Sequence, residues 1–397
     1  MKRTAIAATA GQSLRPQPAS VYAARNAQSG VFIDRIRILA PCLHLPRGKP
    51  VQICDPETGE IFFGATAIQQ SLEDGNADVY VQSKQISHQL KAARAVLIDC
   101  CPPKVLQGHN LFGHAVLQDY VYEILDRVTR ALGIEVRAED RAMWLAGEVH
   151  LTGVHLTANF TCPRELVVPI LDAIDFSNRK GKQRILPTWL TLGLTPKGRS
   201  TYHALTLYDK LEEMGAFLWP TTKYQRLLTV EAEKGLRAEV KLYSQGLKSL
   251  SGSLGGLNLK KVASWAKVDV AALFFEVFNR YRIVYAVQPV PTGAQLKLLK
   301  QKELQVFTNW LLGRSVKEQF ANRGTAGRYV AVIQQKLGVN IGVDRRTEVQ
   351  PAVDLKALFS LGNVRPVPVW AVGTRYYSPP SLPSERTGSE KNRWRVT

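Results

Sequence analysis

The stretch Leu236-Arg-Ala-Glu-Val-Lys-Leu-Tyr243 alternates apolar and polar residues without a fault, and no other feature narrows the possible folds of this chain as much. A side-chain period of two belongs to extended strands. It sets Leu236, Ala238, Val240 and Leu242 inward and Arg237, Glu239, Lys241 and Tyr243 outward. Glu239 is then a carboxylate on a sheet face, suited either to a cross-strand salt bridge or to holding a cation. His203 to Lys210 repeats the period and would carry Thr206, Tyr208 and Lys210 on one face. Glu148 to Phe160 places His155, Thr157 and Asn159 together and His150 opposite, so it offers no His-x-His pair for a metal. Val31 to Leu39 mixes β-branched residues with charges at near-alternate positions, as the first strand of an antiparallel sheet would. Ile61–Phe63, Val79–Val81 and Ala95–Cys100 read as shorter strands.

Between the strands the apolar period lengthens. Helices are expected over Val116–Leu132, Cys162–Phe176, Lys223–Lys234, Leu259–Phe278 and Leu296–Leu312, the last closed by Gly313. Ser315 to Gly338 predicts a helix, a tight turn at Asn322-Arg323-Gly324 and a second helix capped by Thr325, with Arg328 projecting from it, which meets helix-turn-helix spacing. The fold class is therefore α+β, an antiparallel sheet flanked by helices, followed by a mostly helical region. Ser249 to Gly256 is the expected boundary, which gives a disordered basic arm over 1–30, a sheet domain over 31–250, a helical region over 257–346, and an extension with a disordered tail over 347–397.

Charge narrows the partner. The 397 residues carry a formal +19, spread over several segments, a field best matched to a nucleic acid; an anionic membrane surface is the rival. No apolar run reaches the roughly 18 residues of a membrane span, and none is expected. Between Lys297 and Arg346 ten basic residues face three acidic ones, consistent with a DNA-facing unit. A second basic segment holds Arg179, Lys180, Lys182, Arg184, Lys197 and Arg199 and contains no acid. It could hold a phosphate backbone while Tyr208, just downstream, attacks a phosphorus; the plainer reading is a half-exposed strand beside a solvated loop. His109 lies between Gly108 and Gly113 in a polar loop where backbone can approach a ligand closely, or where a histidine simply serves a turn. Five cysteines without C-x-x-C spacing argue against a disulfide framework and a structural zinc site and fit a reducing cytoplasm.

In this order, Leu106-Gln-Gly-His-Asn-Leu-Phe-Gly113, Leu151-Thr-Gly-Val-His-Leu-Thr-Ala-Asn-Phe160, Leu205-Thr-Leu-Tyr-Asp-Lys-Leu-Glu212, Leu236-Arg-Ala-Glu-Val-Lys-Leu242 and Trp310-Leu-Leu-Gly313 resemble the phage and plasmid replication initiators typified by the gene II and gene X proteins of filamentous phages. The resemblance runs from about Phe32 to Val343. It implies a relaxase-like domain that nicks one strand of a supercoiled double-stranded origin, stays joined to the 5′ phosphate through a tyrosine, leaves a 3′ hydroxyl primer and later reseals the displaced strand. Tyr208 matches the family's nucleophile, with Lys210 beside it to favour phenolate and stabilise charge. Mg²⁺ or Mn²⁺ would be held by some of His109, His155 and Glu239. His155 stands where many relatives carry Asp, and Gly153 replaces a common arginine. Arg179, Lys180, Lys182, Arg184, Arg323 and Arg328 would contact single- and double-stranded origin DNA. The chain has no G-x-x-x-x-G-K-S/T loop, so a bacterial host helicase would unwind and a host polymerase would extend. The alternative from composition alone is a sequence-specific DNA-binding regulator without catalysis.

Overall fold

A computed structural model describes residues 29–377, apart from 48, 55–56, 59–60, 72–77, 88–90, 178–180, 196–199, 201, 216–221, 286–290 and 343–352, together with 379–380 and 382–383. Its strands are β1 (Phe32–His44), β2 (Lys49–Cys54), β3 (Ile61–Ser71), β4 (Asp78–Ser87), β5 (Ala92–Cys100), β6 (His150–Thr161), β7 (Lys182–Leu186), β8 (Trp189–Leu192), β9 (His203–Asp209) and β10 (Gly235–Tyr243). They form one ten-stranded sheet in the order β2-β3-β4-β5-β1-β6-β10-β9-β8-β7, and every pairing is antiparallel. The expected α+β class is what the chain adopts.

One face of the sheet carries the main core. Val154, Leu156, Ala158 and Phe160 of β6 and Leu236, Ala238, Val240 and Leu242 of β10 pack there with Val121, Leu125 and Val128 of α2 (Leu117–Ala131) and Ile170, Leu171 and Ile174 of α4 (Arg164–Ser177). Against the other face lie α1 (Pro102–Gln107), the loop after it, α5 (Lys210–Met214) and α6 (Lys223–Glu233), where Leu111, Phe112, Leu228 and Ala232 form a smaller cluster with Ala371 and Tyr376. Of the remaining helices, α3 spans Ala138–Leu145, α7 Ser244–Ser253 and α8 Val270–Asn279.

The main core does not end at Gly256: it takes in Leu259, Trp265, Phe274, Val277 and Phe278, and then Leu355 and Leu358 of α12 (Leu355–Leu358). Residues on both sides of the expected 250/257 boundary therefore share one core. A separate cluster joins α10 (Gln301–Leu311) to α11 (Arg323–Leu337) through Val306, Phe307, Trp310, Ile333 and Leu337, and the single turn α9 (Gly293–Leu296) precedes it.

Several helical expectations need correction. The single helix expected over 259–278 is a 3-10 segment, Val262–Lys267, then α8, because Asp269 caps Ala272 and restarts the winding. The helix expected over 296–312 is likewise split at Lys300, the N-cap position of α10, whose backbone N–H donates to Glu303 Oε2 at 2.8 Å. Residues 316–319 form turns instead of the first expected helix, and Arg323 and Gly324, expected in the turn, are the first residues of α11. Asn322, not Thr325, caps α11, its side chain accepting from Gly324 N. Residues 1–28 of the expected basic arm and 384–397 of the tail lie outside the described residues, as do Arg179, Lys180, Lys197 and Arg199. No helix among the described residues is long and apolar enough to cross a membrane.

Candidate active site

The polar face of β10 is not outward. Arg237 is fully buried and Glu239 only 6% exposed, because α1, α5, α6 and the loop 108–116 cover this side of the sheet. Register sets three rungs across it. Trp189, Tyr208, Arg237 and Asn159 align on the first, Thr191, Thr206, Glu239, Thr157 and Phe32 on the second, and Lys241, His155 and Arg35 on the third. Trp189 stacks on the Tyr208 ring at 4.4 Å and 16°. The Tyr208 hydroxyl reaches to the next rung and donates to Glu239 Oε1 at 2.5 Å.

Asp34, which sequence reasoning missed, enters through an irregularity in β1. Ile33 pairs with Leu156 but Arg35 already pairs with His155, leaving Asp34 as an extra residue in a β-bulge. The bulge shifts the phase of the strand and turns the Asp34 carboxylate toward β10. There Oδ1 accepts from Arg237 Nη2 at 2.9 Å, from Asn110 Nδ2 at 2.8 Å and from the Cys101 thiol at 3.5 Å. The only signal in the sequence was one acid in an otherwise apolar and basic strand.

Arg237 ties the site together. Besides Asp34 it donates through Nε to Glu239 Oε1 at 3.2 Å and through Nη1 to the Asn110 carbonyl. Its guanidinium sits 5.8 Å from the Tyr208 ring centre. Burial works against its charge, yet Tyr208, Asp34 and Glu239 more than offset that and raise its pKa. Burial likewise opposes ionisation of Asp34, but Arg237, then Lys210 and the Asn110 amide, outweigh it and hold the carboxyl below its ordinary range. Tyr208 goes the other way. Burial raises its pKa well above the usual phenol value and exceeds the pull of Arg237, so the resting side chain is a phenol.

Asp34, His155 and Glu239 each offer one ligand atom, all within 4.8 Å of one another. The hydrogen bonds to Asp34 fall on Oδ1 and those to Glu239 on Oε1, so Oδ2 and Oε2 face a cation site, with the Lys241 ammonium 4.0 Å from Oε2. Burial, followed by the charge of Lys241, lowers the His155 pKa to about 3, so its imidazole is neutral and can ligate. On the Glu239 rung the Thr157 hydroxyl is buried and has no hydrogen-bond partner among the described residues. Two carboxylates and an imidazole suit a hard-to-borderline divalent ion, so the residues present fit one.

The structure brings His155, Glu239, Tyr208 and Lys210 together but leaves His109 outside the triad. His109 Nε2 donates to the Tyr376 carbonyl at 2.9 Å and Nδ1 accepts from Leu111 N at 3.3 Å, so both ring nitrogens are engaged. Its neighbour Asn110 is what reaches the site. Lys210 is not a strand residue: β9 ends at Asp209, whose carboxylate caps Leu211 and Glu212 and starts α5. Lys210 Nζ nonetheless lies 5.9 Å from the Tyr208 ring, bonded to Asn110 Oδ1 at 2.8 Å and to the Glu213 carboxylate. Burial, then Arg237, lowers its pKa to about 8 against the opposing pull of Glu213.

The expected DNA contacts lie elsewhere. At the far edge of the sheet, Lys182 pairs with Asp175 at 2.8 Å and Arg184 with Asp172 at 2.9 Å. Arg323 and Arg328 are exposed on α11, and Arg328 also donates to Thr325 Oγ1 at 3.2 Å.

Two comparisons bear on this arrangement. A family model describing the N-terminal part of the phage replication-associated protein, the gene II protein, matches residues 67–268 and so spans β6, β9 and β10. The replication-associated gene II protein of Enterobacteria phage I2-2 is 23% identical over 316 residues, covering 79% of this chain and 88% of that protein.

Proposed function

The chain belongs to the gene II family of phage replication-associated proteins, and from that premise we propose that it initiates rolling-circle replication by nicking one strand of a supercoiled origin through Tyr208. The observation that carries this reading is the 2.5 Å hydrogen bond from the Tyr208 phenol to Glu239, itself one of three groups able to hold a cation. In the forward step the phenol proton passes to Glu239 Oε1 while Tyr208 Oη bonds to phosphorus. The P–O3′ bond breaks, the 3′ oxygen takes up a proton, and the 5′ phosphate stays on the tyrosine. The ester keeps the energy of the broken bond, so attack by a 3′ hydroxyl reverses the step and reseals a strand. Lys210 and Arg237 are the fixed cations beside the ring, placed to favour charge that develops during transfer. Asp34, His155 and Glu239 would hold Mg²⁺ or Mn²⁺, whose chemistry is to polarise the phosphate oxygens.

Docking to the origin is assigned to cations outside the site, namely Lys182 and Arg184 on the sheet edge, Arg323 and Arg328 on α11, and Arg179 and Lys180. The free 3′ hydroxyl would prime a host polymerase behind a host helicase, which places the work in the cytoplasm of a bacterial host. A regulator that only binds DNA would have no use for a buried Tyr-Glu-Asp-His-Arg cluster.

Metal removal tests the reading. Purified protein with supercoiled origin plasmid and Mg²⁺ should yield nicked circles, and EDTA should abolish them. Glu239→Gln should cut nicking by a factor of about 10² or more while origin binding persists, since the group acts on the transition state more than on docking. Undiminished nicking in EDTA would remove the cation from the proposal.

A further inference from the structure

The segment 364–377 runs back across the site face of the sheet and builds a surface that the nicking chemistry does not use. Val364 forms a bridge with Phe160, and Arg365 N donates to the Asn159 carbonyl at 2.8 Å. The Arg365 guanidinium pairs with Glu231 of α6. The segment thereby lays Trp370 and Tyr376 against Tyr224 at the start of α6. Tyr224 lies 5.0 Å from Tyr376 at 31° and 6.2 Å from Trp370 at 39°. Tyr224 is 41% exposed, so an aromatic face is open to solvent beside two packed rings.

Cations flank this ledge: Lys223 precedes Tyr224 and Arg375 precedes Tyr376, both are exposed, and neither has a carboxylate partner among the described residues. The Arg375 guanidinium lies 4.9 Å from the Tyr376 ring centre. The same segment also walls a cleft lined by Asn159, Lys210, Arg365, Pro366 and Pro368, and Lys210 lies 5.9 Å from the Tyr208 ring.

We propose that Tyr224, held by Trp370 and Tyr376, forms a stacking seat for an unpaired base of single-stranded DNA, with Lys223 and Arg375 on its phosphates, beside the cleft that Lys210 lines. An exposed ring beside cations without acid partners matches a strand whose bases are splayed out; a duplex keeps its base faces stacked and offers the ring nothing. Stacking is tolerant of sequence, so the seat would hold the displaced or scissile strand without reading it. The role of the strand rests on the nicking proposal above; the binding surface does not.

The test is anisotropy titration of the full chain with a short labelled oligothymidylate, beside a nicking assay on supercoiled plasmid. Tyr224→Ala should weaken oligonucleotide binding about tenfold, from the ordinary worth of one base stacked on a ring, whereas Tyr224→Phe should bind as the parent does. Tyr224→Leu, which keeps apolar bulk against Trp370 and Tyr376, should lose as much as Tyr224→Ala; retained affinity in Tyr224→Leu would mean packing alone, and would overturn the seat. So would parental affinity in Tyr224→Ala, or a parent that does not bind the oligonucleotide. A protein that nicks but binds equally well with Tyr224→Ala loses the seat and keeps the nicking reading. One that binds through Tyr224 and never nicks keeps the seat and loses the reading.

Discussion

Arg237 decides whether the site can exist, because it is the counter-charge to two buried carboxylates at once. Arg237→Met keeps most of the side chain's bulk but takes from Asp34 and Glu239 their one hydrogen-bonded guanidinium, and should destabilise the fold by about 3–5 kcal/mol in denaturant titrations. A loss under about 1 kcal/mol would mean that Lys210 and Lys241 compensate the two acids without it. His109 gives a pH signature in a different window. Its folded pKa is lowered to about 4 from 6.5, chiefly by burial against the pull of the Tyr376 carbonyl, so between these values the unfolded chain binds a proton that the folded chain does not. Stability should therefore fall as pH drops from 6.5 toward 4 and level off above 6.5. His109→Gln should flatten part of that slope in urea midpoints measured at pH 7 and pH 5, and an unchanged slope would contradict a buried neutral imidazole at this position. His155, whose pKa is lowered further, contributes the same sign in both proteins.

At the scale of elements, β6, β9 and β10 were legible in the sequence because period two survives burial on both faces. What alternation could not tell was which layer covers the polar face, so Arg237 and Glu239 read as outward when α1, α5 and α6 in fact enclose them. Asp34 was hidden for a different reason. A bulge changes the phase of a strand without changing its composition, and only the pairing of β1 with β6 reveals it. Helix ends were misread where a single capping side chain decides them, as at Asp269 and Asn322. The pair α10 and α11 has its own core, in which Phe307 is 1% exposed and stacks on Trp310 at 5.8 Å. Phe307→Ala should cost about 3–5 kcal/mol locally. Amide exchange should then lose protection across α10 and α11 while β6 and β10 keep theirs, since they belong to a different cluster. Loss of protection in the sheet as well would show that the two cores unfold as one.

For the whole molecule, one antiparallel sheet presents two faces with different duties. The first is sealed by helices into the main core; the second holds a chain of charges from Lys210 through Asn110, Asp34 and Arg237 to Glu239 and Tyr208. The segment 364–377 closes over that second face from far along the chain, a pairing with no local signature in the sequence. The central claim is that Tyr208 joins covalently to DNA, although the chain has two exposed tyrosines nearby, Tyr202 at 54% and Tyr224 at 41%. The most direct measurement is to trap the adduct on origin DNA carrying a radiolabelled 5′ phosphate at the nick and to sequence the labelled peptide, with Tyr208→Phe run in parallel. The account predicts label on Tyr208 alone and none with Tyr208→Phe, which keeps the ring stacked on Trp189 and the fold intact; label recovered on Tyr202 or Tyr224, or persisting with Tyr208→Phe, would contradict it.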